Sequence, residues 1–210
     1  MKLKGLLRDI VATPVVVDLD IHGLSIDSRT LKPGDLFFAY PGVHQDRRQC
    51  MSEAVERGAA AILVEVADQP DLPEHVGIPF IPVMNLRDKL GFIVSRFYGD
   101  PSQQLTVIGV TGTNGKSSIV HLIAQALTLL GKKVAAISTI VAAQTTPDAI
   151  TIQSSLADEV KSGVDYAVIE VSSHALDQGR VNGVQFDYAV FTNLTRDHLD
   201  YHGDMQHYAL

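Results

Sequence analysis

Gly109-Val110-Thr111-Gly112-Thr113-Asn114-Gly115-Lys116-Ser117-Ser118 continues the apolar run Leu105 to Val110 and leads straight into a helical stretch, Ser117 to Leu130. Strand, glycine loop and helix in that order form a phosphate cradle. The glycines let backbone N–H groups turn inward on phosphate oxygens, and the helix N-terminus adds its dipole. Lys116 is placed to neutralise the outer phosphates, and the Ser117 hydroxyl to ligate Mg²⁺. The pattern G-x-x-x-x-G-K-[ST] is met except at its first glycine, where Val110 stands; Gly112 supplies the flexibility from inside the loop. The residues expected on the nucleotide are therefore Gly112, Thr113, Asn114, Gly115, Lys116, Ser117 and Ser118.

Outward from the loop the chain alternates. After the helix, Gly131 is a C-cap, and then come a strand from Val134 to Ser138, a helix near Ile152 to Ser162, and strands at Tyr166 to Val171 and Tyr188 to Thr192. Near-continuous apolar strands separated by helices predict a parallel sheet covered on both faces, with ligands beyond the C-terminal strand ends. Before residue 100 the apolar runs are shorter and broken by turn signals such as Lys32-Pro33-Gly34-Asp35 and Pro41-Gly42. A helix at Met51 to Gly58, strands at Ala60 to Val66 and Pro79 to Val83, and a helix at Leu86 to Tyr98 read as a small mixed α/β unit. The expected fold class is α/β: an N-terminal domain over 1–87, a bridging helix, and a P-loop NTPase-like parallel-sheet domain over 88–210.

Composition narrows the function. The 210 residues carry 17 Lys and Arg against 24 Asp and Glu, a net charge of −7, which argues against duplex nucleic acid as partner but leaves an anionic small molecule open. The longest uncharged stretch, Val134 to Pro147, is shorter than the ~20 apolar residues a spanning helix needs, so no membrane segment is expected. The N-terminus lacks the apolar core of a signal peptide, which makes the cytoplasm the expected location. Cys50 is the single cysteine and reads as a packed small hydrophobe.

Glu170 ends an apolar strand and is followed by Ser172, Ser173 and His174. A carboxylate there is suited to Mg²⁺ beside the phosphate loop. His174, His198, His202 and His207 crowd the last stretch among Asp197, Asp200 and Asp204. His198 and His202 at i, i+4 could ligate zinc from one helical face, but the glutamate of H-E-x-x-H is absent and Gly203-Asp204 suggests a loop or a helix start. Thr145, Thr146, Ser172, Gln178 and Arg180 supply hydroxyl, amide and guanidinium groups suited to a polar, anionic ligand.

Thr111-Gly112-Thr113-Asn114-Gly115-Lys116-Ser117 resembles the T-G-T-N-G-K-[ST] loop of the Mur ligases, ATP-dependent amide-forming enzymes of peptidoglycan assembly. Ile26-Asp27-Ser28-Arg29, Lys32-Pro33-Gly34-Asp35-Leu36-Phe37, Thr145-Thr146-Pro147, Glu170-Val171-Ser172-Ser173-His174, Gln178-Gly179-Arg180 and the run Thr192 to Gly203 extend the resemblance over nearly the whole chain. They narrow it to the branch that adds the third peptide residue. The resemblance implies ATP and Mg²⁺ as cofactors, with Lys116, Glu170 and His198 catalytic and Ser117, Glu170 and His198 on magnesium. It implies UDP-MurNAc-L-Ala-D-Glu and an amino acid, diaminopimelate or lysine, as substrates. Ile26, Ser28, His44 and Gln45 would then lie near the uridine diphosphate, and Gln144, Thr145, Thr146, Ser172, Gln178 and Arg180 near the muramoyl peptide. Arg196 and Asp197 would lie near the nucleotide.

Two departures stand out. Arg47 occupies the glycine position of the family's Asp-Gly-Arg run, and the stretch Ile140 to Gln144 is short. By the same resemblance, family members extend past Leu210 through the rest of the central domain and a C-terminal domain. These 210 residues are therefore expected not to turn over alone. A noncatalytic binding module, or another ligase of the superfamily such as a folylpolyglutamate synthetase, stays open as an alternative.

Overall fold

The computed structural model describes residues 1–12, 17–42, 45–67, 77–138 and 146–209. They divide into two units, Met1–Phe97 and Tyr98–Leu210. The division falls ten residues beyond the expected boundary, because the helix expected to bridge the units packs on the first one.

In the first unit, helix α1 (Leu3–Leu7) precedes strands β1 (Gly23–Ser25) and β2 (Asp35–Ala39), helix α2 (Met51–Glu56), strands β3 (Ala61–Glu65) and β4 (Phe80–Val83), and helix α3 (Leu86–Phe97). All four strands are parallel, in the order β1-β2-β3-β4. Strand alternation sends Phe37, Ala39, Ile62 and Val64 to one face, against Ala54 of α2 and Leu31. On the other, α3 packs on β3 and α1. Its stripe of Leu86, Leu90, Ile93 and Val94 is buried, which fixes it to this sheet rather than between units.

In the second unit, β5 (Thr106–Thr111), α4 (Lys116–Leu129), β6 (Val134–Ile137), α5 (Ala149–Lys161), β7 (Tyr166–Glu170), α6 (Ser173–Asp177), β8 (Tyr188–Phe191), α7 (Leu199–His202) and α8 (Met205–Ala209) follow in turn. The sheet is again wholly parallel, but its order is β6-β7-β5-β8. Ile108, Val110 and Val168 face α4, where Val120, Ile123 and Leu127 cover them. Val107, Ala167 and Ile169 face Ile152 and Leu156 of α5. Asp148 starts α5 by accepting from the amides of Ile150 at 2.9 Å and Thr151 at 3.1 Å. Gly131, at φ +79°, ends α4 in the left-handed conformation expected of a C-cap. The side chain of Gln153 on α5 is fully buried, and its amide has no hydrogen-bond partner among the described residues.

Candidate functional site

The strand order of the second sheet reverses at β5, and such a reversal opens a crevice beyond the C-terminal strand ends. Three segments converge there: the glycine loop after β5, Glu170 at the end of β7, and Thr192-Asn193 after β8. Gly112 takes φ +129°, and a Cβ on it would lie 2.2 Å from the Thr192 hydroxyl and 2.8 Å from the Asn193 carbonyl. Only glycine lets the loop approach β8 so closely. The clamp is made by hydrogen bonds. The Thr113 amide donates to the Asn193 carbonyl at 2.8 Å, the Thr192 hydroxyl donates to the Asn114 carbonyl at 2.7 Å, and the Asn193 side chain holds both the N–H and the C=O of Asn114. Gly115, at φ +84°, starts α4 without a side-chain cap, so backbone donors of the first turn face the loop.

Lys116 lies on the loop, its ammonium donating to the carbonyls of Gly112 at 2.8 Å and Thr113 at 2.9 Å. The Ser117 hydroxyl donates to Glu170 Oε2 at 2.8 Å. Glu170 is only 3% exposed. The two magnesium candidates predicted from sequences 53 residues apart therefore touch. Asn114 and Ser118 are exposed at the loop rim.

Beside this pair a second set of polar groups is wired together. The Thr146 hydroxyl donates to the Glu170 carbonyl at 3.0 Å and accepts from the Ser172 amide at 3.0 Å. Arg180 donates to the Thr146 carbonyl at 2.8 Å and grips Gln178 Oε1 through Nε and Nη2, at 2.9 and 2.6 Å. The Gln178 amide donates to the Tyr201 hydroxyl at 3.1 Å, which in turn donates to Asp177 at 2.6 Å. The structure thus brings together Thr146, Ser172, Gln178 and Arg180 as one network. Gln144 and Thr145 lie outside the described residues.

His198 sits at φ +53° before α7, its ring 4.9 Å from that of His174 and 6.1 Å from that of Tyr208. His202 bonds Ser173 Oγ at 3.0 Å, and His207 bonds Asp204 at 2.8 Å. Burial, with His198 and His202 close by, holds the His174 imidazole below its usual range. Among the described residues no three His, Cys, Asp or Glu side chains converge in a way that could hold a metal ion, so the i, i+4 zinc reading of His198 and His202 gains no third ligand. Gly203 ends α7, and Asp204 accepts from the His207 amide at the start of α8, as the local sequence suggested.

Residues 20–98 match the family model described as "Mur ligase family, catalytic domain", and residues 110–210 match "Mur ligase middle domain". The chain belongs to the Mur ligase family. Among its relatives, the UDP-N-acetylmuramoyl-L-alanyl-D-glutamate--2,6-diaminopimelate ligase of Pseudomonas syringae pv. tomato is 48% identical, over 90% of this chain and 40% of its own length. The ligase of the same name from Coxiella burnetii is 46% identical over 97% of this chain and 43% of its own. A solved structure of an enzyme with that name superposes with a TM-score of 0.79 at 30% identity, over 97% of this chain and 43% of that one. The chain thus spans about two fifths of the length of these relatives.

In this member of the family the first unit arranges its own candidates after β1 and β2. Ser28 is buried, and its hydroxyl donates to Glu53 at 2.6 Å. Gln45 is exposed, its side-chain amide 3.3 Å from the Cys50 sulfur. His44 lies outside the described residues. Arg47, the departure from the family run, donates from Nε to the Ile26 carbonyl at 3.0 Å and lies 4.6 Å over the Tyr40 ring. It joins the β1 and β2 loops, a role no local sequence signal announces. Among the described residues no helix is long and apolar enough to cross a membrane.

Proposed function

We propose that this chain is the UDP-sugar- and nucleotide-binding portion of an ATP-dependent, ADP-forming ligase that joins diaminopimelate to UDP-MurNAc-L-Ala-D-Glu in the cytoplasm. The observation that carries the reading is the contact between Ser117 and Glu170 beside the Lys116 loop, at the switch point of the second sheet. A hydroxyl and a carboxylate are hard oxygen donors, and Mg²⁺ takes one or two such protein ligands together with water and phosphate oxygens, so the residues present fit the ion. Bound there, Mg²⁺ would neutralise charge on the phosphates; His198 is the candidate for a second ion.

The chain's residues then act by positioning and charge. Lys116 and the amides at the start of α4 hold the triphosphate. Thr146, Ser172, Gln178 and Arg180 orient the acidic peptide so that its D-Glu carboxylate faces the γ-phosphorus. The carboxylate oxygen forms a bond to phosphorus as the bond to ADP breaks, giving an acyl phosphate. The amine of the amino acid next attacks the acyl carbon, phosphate leaves, and the amine loses a proton. Ile26, Ser28, His44 and Gln45 hold the uridine diphosphate end on the first unit. The relatives' shared name and the 48% identity support diaminopimelate rather than lysine as the amino acid.

The test is ADP release from the chain extended to the length of its relatives, with each substrate omitted in turn. Turnover that requires UDP-MurNAc-L-Ala-D-Glu and diaminopimelate supports the reading. Turnover with a folate polyglutamate acceptor overturns it, and binding of both ligands without turnover favours a noncatalytic module.

A further inference from the structure

We propose that Tyr208, on the last helix of the second unit, is a positioning residue of the phosphate loop, acting through the side chain of Thr113. The inference rests on the reading of that loop as the nucleotide site.

The Tyr208 and Thr113 hydroxyls are 2.8 Å apart, and both residues are buried, at 8% and 5% exposure. A threonine hydroxyl has one proton to donate and two lone pairs to accept with. Thr113 Oγ1 donates to the Thr195 carbonyl at 3.2 Å and accepts from the Thr195 amide at 2.9 Å. With the proton and one lone pair used, the remaining lone pair accepts from Tyr208. The set closes with Tyr208 as donor and Thr113 fully satisfied, so loss of the Tyr208 hydroxyl leaves a buried acceptor site unfilled.

Thr113 is also where the loop's backbone is fixed. Its N–H donates to the Asn193 carbonyl at 2.8 Å, and its own carbonyl receives the Lys116 ammonium at 2.9 Å. A displacement of Thr113 therefore moves the lysine that meets phosphate. The phenol ring is itself held, with its centroid 5.2 Å from the His202 ring and 6.1 Å from the His198 ring, and His202 is anchored on Ser173. The chain of contact runs from α6 through α7 and α8 into the loop, although α8 carries none of the ligand-binding residues.

Tyr208→Phe keeps the ring and removes the hydroxyl. Measured by calorimetry with a non-hydrolysable ATP analogue and Mg²⁺, its affinity is expected to fall about three- to tenfold, the effect of one buried hydrogen bond. In a Thr113→Val background the same change should cost less than about twofold, because the partner is already gone. Tyr201→Phe removes a hydroxyl from the same aromatic group that bonds Asp177 and Gln178 instead, and it should leave nucleotide affinity within about twofold. A Tyr208→Phe variant that melts at lower temperature but binds the analogue as tightly as the unchanged chain overturns the inference, as do additive losses in the double variant. If instead Lys116→Ala leaves affinity unchanged, the phosphate-loop reading itself falls, and this inference falls with it.

Discussion

Both units hang their candidate residues on a four-stranded parallel sheet, yet the two sheets are wound differently. The first runs β1-β2-β3-β4, each strand beside its sequence neighbour, so the chain never reverses direction across the sheet. The second runs β6-β7-β5-β8, with β5 flanked by strands that come later from either side. Reversal splays apart the segments leaving β5 and its neighbours, and the crevice between them receives a loop, a carboxylate and a clamp from three distant parts of the sequence. Among the described residues the first sheet has no such reversal. Its candidates lie in the two adjacent loops after β1 and β2, joined by Arg47 to Ile26. On the proposed reading, the difference matches a division in which phosphate chemistry belongs to the second unit and recognition of the uridine end to the first.

The sharpest way to break that division is Gly112→Ala. Its new methyl would meet Thr192 and Asn193 at a φ that L side chains rarely adopt. We expect a loss of about 2–4 kcal/mol in stability, measured by urea unfolding, together with loss of nucleotide binding. A well-folded, nucleotide-binding Gly112→Ala chain would show that the close approach of loop and β8 is dispensable.

Lys116→Ala comes next. It should lower affinity for an ATP analogue about ten- to hundredfold, as expected for charge-assisted hydrogen bonds, while UDP-MurNAc-L-Ala-D-Glu still binds. Calorimetry with each ligand separately reads both. The reciprocal variant, Ser28→Ala, should weaken the UDP-sugar about three- to tenfold and leave the nucleotide untouched. Should Lys116→Ala abolish UDP-sugar binding while Ser28→Ala does not affect it, the division of labour is wrong.

The smallest effect concerns Glu53. The Ser28 hydroxyl, and next the Arg57 guanidinium, hold its carboxyl below the ordinary value of 4.5. A lowered native pKa adds stability that is present above the unfolded-state value and is lost as pH falls through the native one. The wild-type chain should therefore lose an increment of melting temperature below about pH 4.5 that Glu53→Gln does not lose. Parallel acid limbs for the two proteins would show that the ionised Glu53 carboxylate, held by Ser28 and Arg57, contributes nothing to folding.

Much of the second unit could be read from its residues because strand, glycine loop and helix are local patterns. Leu105 to Val110 and Ser117 to Leu130 lie within a residue of β5 and α4. That Glu170 needs a partner beside the phosphate loop was legible too, since it is a carboxylate ending an apolar strand. The clamp was not. Thr192, Asn193, Thr195 and Tyr208 meet the loop across about 80 to 95 positions, and no periodicity encodes a bond of that separation. In the first unit β1 gives no local signal, because three residues, Gly23-Leu24-Ser25, carry no alternation, and their extended form comes from pairing with Asp35 to Phe37. The helix Leu86–Phe97 was evident, but its allegiance was not. Amphipathicity says that a face is buried and leaves open against which sheet.

If the loop takes nucleotide as proposed, the Lys116 ammonium, donating to the carbonyls of Gly112 and Thr113, makes that capture an exchange reaction. An arriving phosphate must compete with two bonds already made, so the heat released is the difference between charge-assisted bonds to phosphate and those to peptide oxygen. The enthalpy of binding should accordingly be modest beside the affinity, and the balance should come from water and counterions set free by the pairing of opposite charges.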